Sequence, residues 1–313
     1  EYSTKKKSIN DVKKSLSEFI ENSIEKKPLV FFIDELDRCR PNYAVSILEQ
    51  IKHFFSVPNI VFVLSIDKIQ LGNAVRGVYG SENIDAEEYL RRFIDLEYSI
   101  PEPDPVLFYN YLYELLKFDD FFAQDERYKL SELKNDRSDF LNICKILFSK
   151  NSVSLRQQEK IFNLARISLR AFGNNYYFFP VVYLFLNYIK ILENEYYVNL
   201  KLKKLTLSEM QEKFFEIVKS SEDENIQRDL MWLEGSLLNF YRNYLSKNNY
   251  SKIKLFERDN SGQNKLLIKS FIDNSKEREF LIILESFETR RGGGELDLGY
   301  LINKIDLLED LKV

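Results

Sequence analysis

The sequence predicts an α/β unit with parallel strands, followed by a large all-α region. Two short apolar runs, at residues 29–33 and 60–66, flank an amphipathic helical pattern, which is the order of a β-α-β unit. Glycine supplies only 10 of the 313 residues and proline 7, whereas Phe and Tyr number 25 and 19. So few backbone breakers beside so many aromatic side chains favour packed helices and argue against collagen-like and all-β classes.

The first elements follow from apolar spacing. An amphipathic helix is predicted over residues 8–27, before Pro28, from the apolar positions Ile9, Val12, Leu16, Phe19, Ile20 and Ile24. The runs 29–33 and 60–66 are continuous, rich in β-forming residues and bounded by turn signals, which is typical of strands buried in a parallel sheet. Between them, a helix is expected to begin after Pro41 and to end before Pro58.

Polar residues follow both predicted strands. Asp34 and Glu35 come directly after the first strand, and Ser65 and Asp67 close the second. Ligands of parallel sheets bind beyond the carboxyl ends of the strands. These four side chains therefore stand where a ligand of this unit is expected.

The rest of the chain is predicted to be largely helical. Asp104 and Pro105 end a proline-rich linker and suit the N-cap and first position of a helix. Helices are predicted at about 67–79, 85–94, 105–117, 139–149, 154–172, 179–195, 207–220 and 226–247. Capping boxes are expected at Ser154 with Gln157 and at Thr206 with Glu209. The stretch 248–313 is less regular, and residues 290–294 are expected to form a flexible turn.

Composition excludes several classes of site. With 45 Lys and Arg against 49 Asp and Glu, the net charge of −4 gives no global sign of a polyanion-binding protein. Two cysteines, Cys39 and Cys144, and one histidine, His53, provide neither a disulfide framework nor a zinc or His-based metal centre. This cysteine usage favours a reducing, cytoplasmic location, with membrane association as an open alternative.

Residues 176–189, YYFFPVVYLFLNYI, are 14 residues without a charged side chain. A transmembrane helix needs about 20 apolar residues, so this stretch is expected to be a buried helix and no membrane span is predicted. Residues 150–210 carry nine Lys or Arg against four Glu, with interleaved Tyr and Phe. A nucleic-acid groove is conceivable there, but a solvated helix face is the preferred interpretation.

An apolar strand that ends in Asp-Glu is the arrangement that P-loop NTPases use as their Walker B motif. The first carboxylate holds Mg²⁺, largely through its water shell, and the second polarises the water that attacks the γ-phosphate. The alternative is a simple acidic turn between a strand and a helix. The second strand, ending in Ser65 and followed by Asp67, favours the functional interpretation.

Three segments resemble a known family. Residues 28–67, PLVFFIDELDRCRPNYAVSILEQIKHFFSVPNIVFVLSID, are similar to the Walker B to sensor 1 segment of the KAP family of P-loop NTPases. Residues 87–101, EEYLRRFIDLEYSIP, resemble the helix and strand that follow, and residues 152–163 resemble a helix of the family's lid. The resemblance implies the later part of a P-loop NTPase core at 1–100, a helical lid at 101–200 and a C-terminal, mostly helical domain at 201–313.

The resemblance also implies roles at the strand ends. Asp34 would be the Mg²⁺ ligand and Glu35 the catalytic base, while Ser65 would lie at sensor 1 within reach of the γ-phosphate or the attacking water. Asp37 and Arg38 complete the family signature, with a structural role or one at a subunit boundary.

Further arginines are candidates for nucleotide contacts. Arg92, or alternatively Arg91, would neutralise transition-state charge, although an i, i+4 ion pair between Glu88 and Arg92 explains the spacing equally well. Arg156 is a candidate to bind the nucleotide from the lid. The preferred interpretation is that Arg156 is a solvated residue on a helix surface.

The phosphate-binding loop of such an enzyme is missing from the 313 residues. No GxxxxGK[ST] motif occurs, and the nearest approach, Gly72 to Gly77, continues with Val78 and Tyr79 and follows the Walker B strand instead of preceding it. We therefore expect this motif upstream of residue 1, unless nucleotide binding has been lost.

The favoured hypothesis is a KAP-type ATPase that uses ATP and Mg²⁺ to drive a conformational or assembly switch, as a homo-oligomer or with a partner protein. A composition typical of an AT-rich bacterial gene and the resemblance suggest anti-phage defence. The alternatives are a non-catalytic scaffold and, less favoured, a metal-dependent nuclease built on Asp34, Glu35 and Asp37.

Overall fold

The protein divides into two units, residues 1–101 and 102–313. The computed structural model describes residues 2–22, 27–80, 83–101, 103–131, 133–148, 153–173, 178–218, 223–247, 253–258, 262–289 and 296–307. Residues 290–294, for which a flexible turn was predicted, lie outside this range. Helices and strands are numbered below in chain order.

The first unit contains the predicted β-α-β element. Its parts are α1 (Tyr2–Glu21), β1 (Leu29–Asp34), α2 (Pro41–Lys52), β2 (Ile60–Ser65), α3 (Lys68–Tyr79) and α4 (Ala86–Leu90). A 3₁₀ turn, Leu36–Arg38, follows β1. The two strands are parallel and in register, from Leu29 opposite Ile60 to Asp34 opposite Ser65. This register confirms the predicted parallel pairing.

The prediction that both strands are buried is wrong for one face of the sheet. Ile33 and Leu64 pack against a core built from α2, α3 and α4. Side chains alternate between the faces of a strand, and on the opposite face Val30, Phe32 and Val61 are exposed, Phe32 to 77%. The continuous apolar runs suggested that helices pack against both faces, whereas α2, α3 and α4 pack against only one.

The end of the first unit also differs from expectation. The helix predicted over 85–94 is limited to the single short α4, followed by a turn at residues 91–93. The strand implied by the resemblance is not formed, because residues 96–100 have no regular secondary structure. Apolar and polar residues alternate in the sequence of this segment, but Leu96, Tyr98 and Ile100 are all exposed.

The second unit is mostly helical. Its helices are α5 (Pro105–Leu115), α6 (Asp119–Phe122), α7 (Asp125–Tyr128), α8 (Asp136–Phe148), α9 (Leu155–Ser168), α10 (Pro180–Leu192), α11 (Asn194–Lys201), α12 (Leu207–Val218), α13 (Glu224–Ser246), α14 (Glu277–Thr289) and α15 (Leu298–Asp306). A short antiparallel pair, β3 (Phe256–Arg258) and β4 (Asn264–Leu266), was not predicted. The division of this unit into a lid and a C-terminal domain at residue 200 stays a prediction.

Helix α10 lies in the core of the second unit. It contacts α8, α9, α11, α13 and α15, and the side chains from Val182 to Leu186 are fully buried. The uncharged stretch is thus a core helix where it is described, as predicted. None of the described helices combines the length and apolarity needed to cross a membrane.

The predicted helix caps are confirmed. Asp104 accepts a hydrogen bond from the Val106 amide at 2.7 Å, with Pro105 at the first helical position. Ser154 and Gln157 form a capping box. The Thr206 hydroxyl likewise accepts from the Glu209 amide at 3.2 Å, while the Glu209 carboxylate accepts from the Thr206 amide at 2.7 Å.

A buried carboxylate joins three helices of the second unit. Asp306, at the end of α15 and almost inaccessible to solvent, accepts from Lys190 of α10 at 2.6 Å and from the Tyr197 hydroxyl of α11 at 2.7 Å. Its second oxygen lies 2.6 Å from the Lys201 ammonium. Burial alone would raise the pKa of Asp306, but these hydrogen bonds outweigh it and hold the pKa below the ordinary value.

We predict that Asp306→Asn lowers the free energy of unfolding by about 3 kcal/mol at pH 7, because two lysines lose their buried counter-ion. Since the folded-state pKa is depressed, this contribution is complete above the unfolded pKa of about 3.9 and declines as the pH falls towards the folded value. Urea unfolding between pH 7 and pH 3 tests both statements. Glu212→Gln, which neutralises an exposed carboxylate on α12, is the control and should change little; an equally small effect of Asp306→Asn would contradict the prediction.

Candidate functional site

Three of the predicted site residues meet at the carboxyl edge of the parallel strands. Asp34 and Ser65 are register partners at the ends of β1 and β2. The backbone amide of Glu35 donates both to the Ser65 carbonyl at 3.2 Å and to Asp34 Oδ1 at 2.8 Å. The sheet register therefore brings Asp34, Glu35 and Ser65 together.

Glu35 leaves the strand in an unusual backbone conformation. Its φ of 58° and ψ of 25° lie in the left-handed region, which costs a non-glycine residue about 1 kcal/mol or more. The two hydrogen bonds that its amide donates offset this cost, and its carbonyl accepts from the Arg38 amide at 3.1 Å. Leu36, next in the chain, is buried in the core and anchors the turn. The chain thus turns sharply at Glu35 and leaves its side chain exposed.

The Asp34 carboxylate fits a metal ion that is held mainly by water. One oxygen accepts the Glu35 amide, and the other accepts no hydrogen bond from any described residue. Mg²⁺ commonly keeps several waters and takes only one or two protein carboxylates. In the part of the chain that is described, no group of three or more His, Cys, Asp or Glu side chains could enclose a metal ion.

The Glu35 carboxylate forms an ion pair that the sequence analysis missed. Glu35 Oε1 accepts from Arg38 Nη1, on the 3₁₀ turn that follows β1. The i, i+3 spacing of the two residues was the available signal, since this spacing brings side chains together on one helical turn. Both side chains are more than half exposed.

Asp67 has a local structural role at the edge of the sheet. Its carboxylate Oδ1 caps α3 by accepting from the amides of Ile69 at 2.9 Å and Gln70 at 3.1 Å. An Asp directly before a helical pattern is itself the sequence signal for such a cap. Asp67 thus fixes the direction in which the chain leaves β2.

The two candidate arginines after α4 differ in their contacts. Arg91 lies 3.4 Å from a Glu87 carboxylate oxygen and 3.3 Å from one of Glu88. Glu88 therefore pairs with Arg91. The alternative explanation of the spacing, an ion pair between Glu88 and Arg92, is wrong. Arg92 forms no ion pair with a described residue, and its guanidinium lies 5.9 Å from the centre of the Tyr89 ring.

A polar cleft of about 500 Å³ lies beside α4. Lys68 lies in it, 2.6 Å from a carboxylate oxygen of Glu97 and 3.6 Å from one of Glu87. The Glu97 hydrogen bond raises the Lys68 pKa. Lys68 thus connects the start of α3 to the irregular segment 96–100, a contact that sequence spacing did not indicate.

Arg156 lies in the second unit. It is exposed in the first turn of α9, directly after the Ser154 cap. A role in nucleotide binding stays a prediction.

A parallel β-α-β unit whose strands end in Asp-Glu and Ser has the features of the Walker B and sensor 1 edge of a P-loop NTPase. Residues 2–172, more than half of the chain, match the model of the KAP family P-loop domain. The chain belongs to this family, which confirms the resemblance and indicates a nucleotide-binding NTPase. Comparison with curated proteins and with solved structures gives no significant match.

We predict that Asp67→Ala speeds amide hydrogen exchange in the first turn of α3 by about fivefold, because loss of an N-cap costs about 1 kcal/mol. Asp67→Asn keeps a side-chain oxygen acceptor and should exchange nearly like the wild type. Mass spectrometry of peptides covering α3 measures the difference. Equal acceleration in both variants would contradict a capping role for Asp67.

Proposed function

We propose that the protein is a Mg²⁺-dependent ATPase whose catalytic edge is formed by Asp34, Glu35 and Ser65. Membership of the KAP family supports nucleotide binding. The observation that carries the proposal is the in-register pairing of β1 and β2. It brings together at one edge the Asp34 carboxylate, with one oxygen that accepts no hydrogen bond, the Glu35 carboxylate and the Ser65 hydroxyl.

In this proposal each residue has a distinct task. Asp34 would hold Mg²⁺, largely through bound water, with the oxygen that the Glu35 amide leaves free. Bound Mg²⁺ would neutralise charge on the ATP phosphates. Glu35 orients the attacking water and takes up its proton. The Ser65 hydroxyl, one strand away, contacts either this water or the terminal phosphate.

Arginines would complete the site. Arg92 is the preferred donor to the developing transition-state charge, since Arg91 is already engaged by Glu87 and Glu88. Arg156 would contact the nucleotide from the helical lid, which we assign to residues 101–200, with a C-terminal helical domain at 201–313.

The biological setting is proposed from the family resemblance. Hydrolysis would drive a conformational or assembly switch, in a homo-oligomer or with a partner protein, as part of bacterial anti-phage defence in the cytoplasm. These 313 residues contain no GxxxxGK[ST] motif, so the proposal requires a phosphate-binding loop from outside this sequence. Experiments on activity accordingly use the full-length gene product.

We predict that Glu35→Gln in the full-length protein lowers the ATP hydrolysis rate at least 100-fold, because the amide cannot accept the water's proton. ATP binding should persist, since the substitution keeps the shape of the side chain. Phosphate release at saturating ATP and equilibrium binding of a fluorescent ATP analogue measure the two effects.

Glu216→Gln is the matched control. Glu216 is also an exposed glutamate in an i, i+3 ion pair, with Lys213 on α12, and its substitution should leave turnover unchanged. Unchanged hydrolysis in Glu35→Gln would overturn the proposed role of Glu35. Absence of ATP binding by the full-length wild-type protein would favour the scaffold hypothesis instead.

A further inference from the structure

The Glu35–Arg38 pair is built into the turn after β1. The left-handed backbone at Glu35 directs the chain into the 3₁₀ turn, whose first hydrogen bond runs from the Arg38 amide to the Glu35 carbonyl at 3.1 Å. The next runs from the Cys39 amide to the Leu36 carbonyl at 3.2 Å. Because Leu36 is buried and fixed, the backbone brings the two charged side chains to neighbouring positions.

The pair competes with the proposed task of Glu35. Glu35 Oε1 accepts from Arg38 Nη1, and this bond fixes the direction in which the second oxygen, Oε2, faces. The carboxylate can meet a water placed elsewhere only by leaving Arg38. Arg38 is the partner of this carboxylate among the described residues, whereas Asp34 and Ser65 are held by the Glu35 backbone and not by its side chain. The carboxylate can therefore turn away from Arg38 without disturbing the edge of the sheet.

Because the pair is exposed, turning the Glu35 carboxylate away from Arg38 costs little free energy. The Arg38 and Glu35 side chains are 57% and 60% exposed. Exposed ion pairs are weak, and one of this kind biases a side chain by only about two- to fivefold. Such a bias makes the orientation of Glu35 towards Arg38 the more populated one, but the side chain still exchanges with other orientations.

We propose that Arg38 is a positioning residue that holds the Glu35 carboxylate in a resting orientation and thereby limits the basal rate of ATP hydrolysis. The inference rests on the proposed function, because Arg38 acts only through Glu35. It assigns Arg38 a regulatory task in place of the structural or subunit-boundary role that the family signature implied. Before each turnover the ion pair with Arg38 breaks, and the Glu35 carboxylate turns to the attacking water.

The test compares steady-state ATP hydrolysis by full-length variants. Arg38→Ala should raise kcat about two- to fivefold with KM unchanged, because the resting population of Glu35 is released. Arg38→Lys keeps the charge but loses the planar fork, so it should return kcat at least halfway to the wild-type value. The double variant Glu35→Gln/Arg38→Ala should be as inactive as Glu35→Gln alone.

Lys213→Ala removes the cation of another exposed i, i+3 ion pair, on α12, and is the control that should leave kcat unchanged. A lower or unchanged kcat in Arg38→Ala, with Glu35→Gln inactive, would overturn the inference and leave the proposed function intact. Full hydrolysis by Glu35→Gln would overturn both. Circular dichroism of each variant verifies that the fold is retained.

Discussion

The in-register parallel pairing of β1 and β2 is the constraint on which the site depends. It places Asp34 opposite Ser65, and the Glu35 amide closes the edge by bonding to the Ser65 carbonyl and to Asp34. A slip of one residue would move every side chain of a strand to the other face. The chemistry of the edge is therefore a consequence of strand register, which the apolar contacts of Ile33 and Leu64 with the helical core maintain.

Much of the fold was predictable because its signals are local. Apolar runs identified both strands, and Asp104, Ser154 and Thr206 identified helix starts through hydrogen bonds made within three residues. Burial was predicted less well. The exposed Phe32 lies in an apolar run like its neighbours, and no local pattern tells which face of a two-stranded sheet the helices of the same unit cover. The short pair β3–β4 gave no signal above that of a turn.

For the site, too, local signals predicted the positions of residues but not their side-chain contacts. The positions of Asp34, Glu35 and Ser65 follow from where the strands end. Three other features depend on side-chain rotamers and on the packing of separate elements. They are the left-handed conformation of Glu35, the pairing of Glu88 with Arg91 instead of Arg92, and the contact of Lys68 with Glu97. Sequence spacing offers several partners for each of these groups, and only the three-dimensional arrangement selects one.

The most direct measurement is a crystal structure of the full-length protein with Mg²⁺ and a non-hydrolysable ATP analogue. We expect a metal-bound water hydrogen-bonded to Asp34 and a terminal phosphate beside Ser65. We also expect the Glu35 carboxylate to have turned from Arg38 towards a water in line with that phosphate. A nucleotide bound away from the carboxyl edge of β1 and β2, with Glu35 still paired to Arg38, would contradict it.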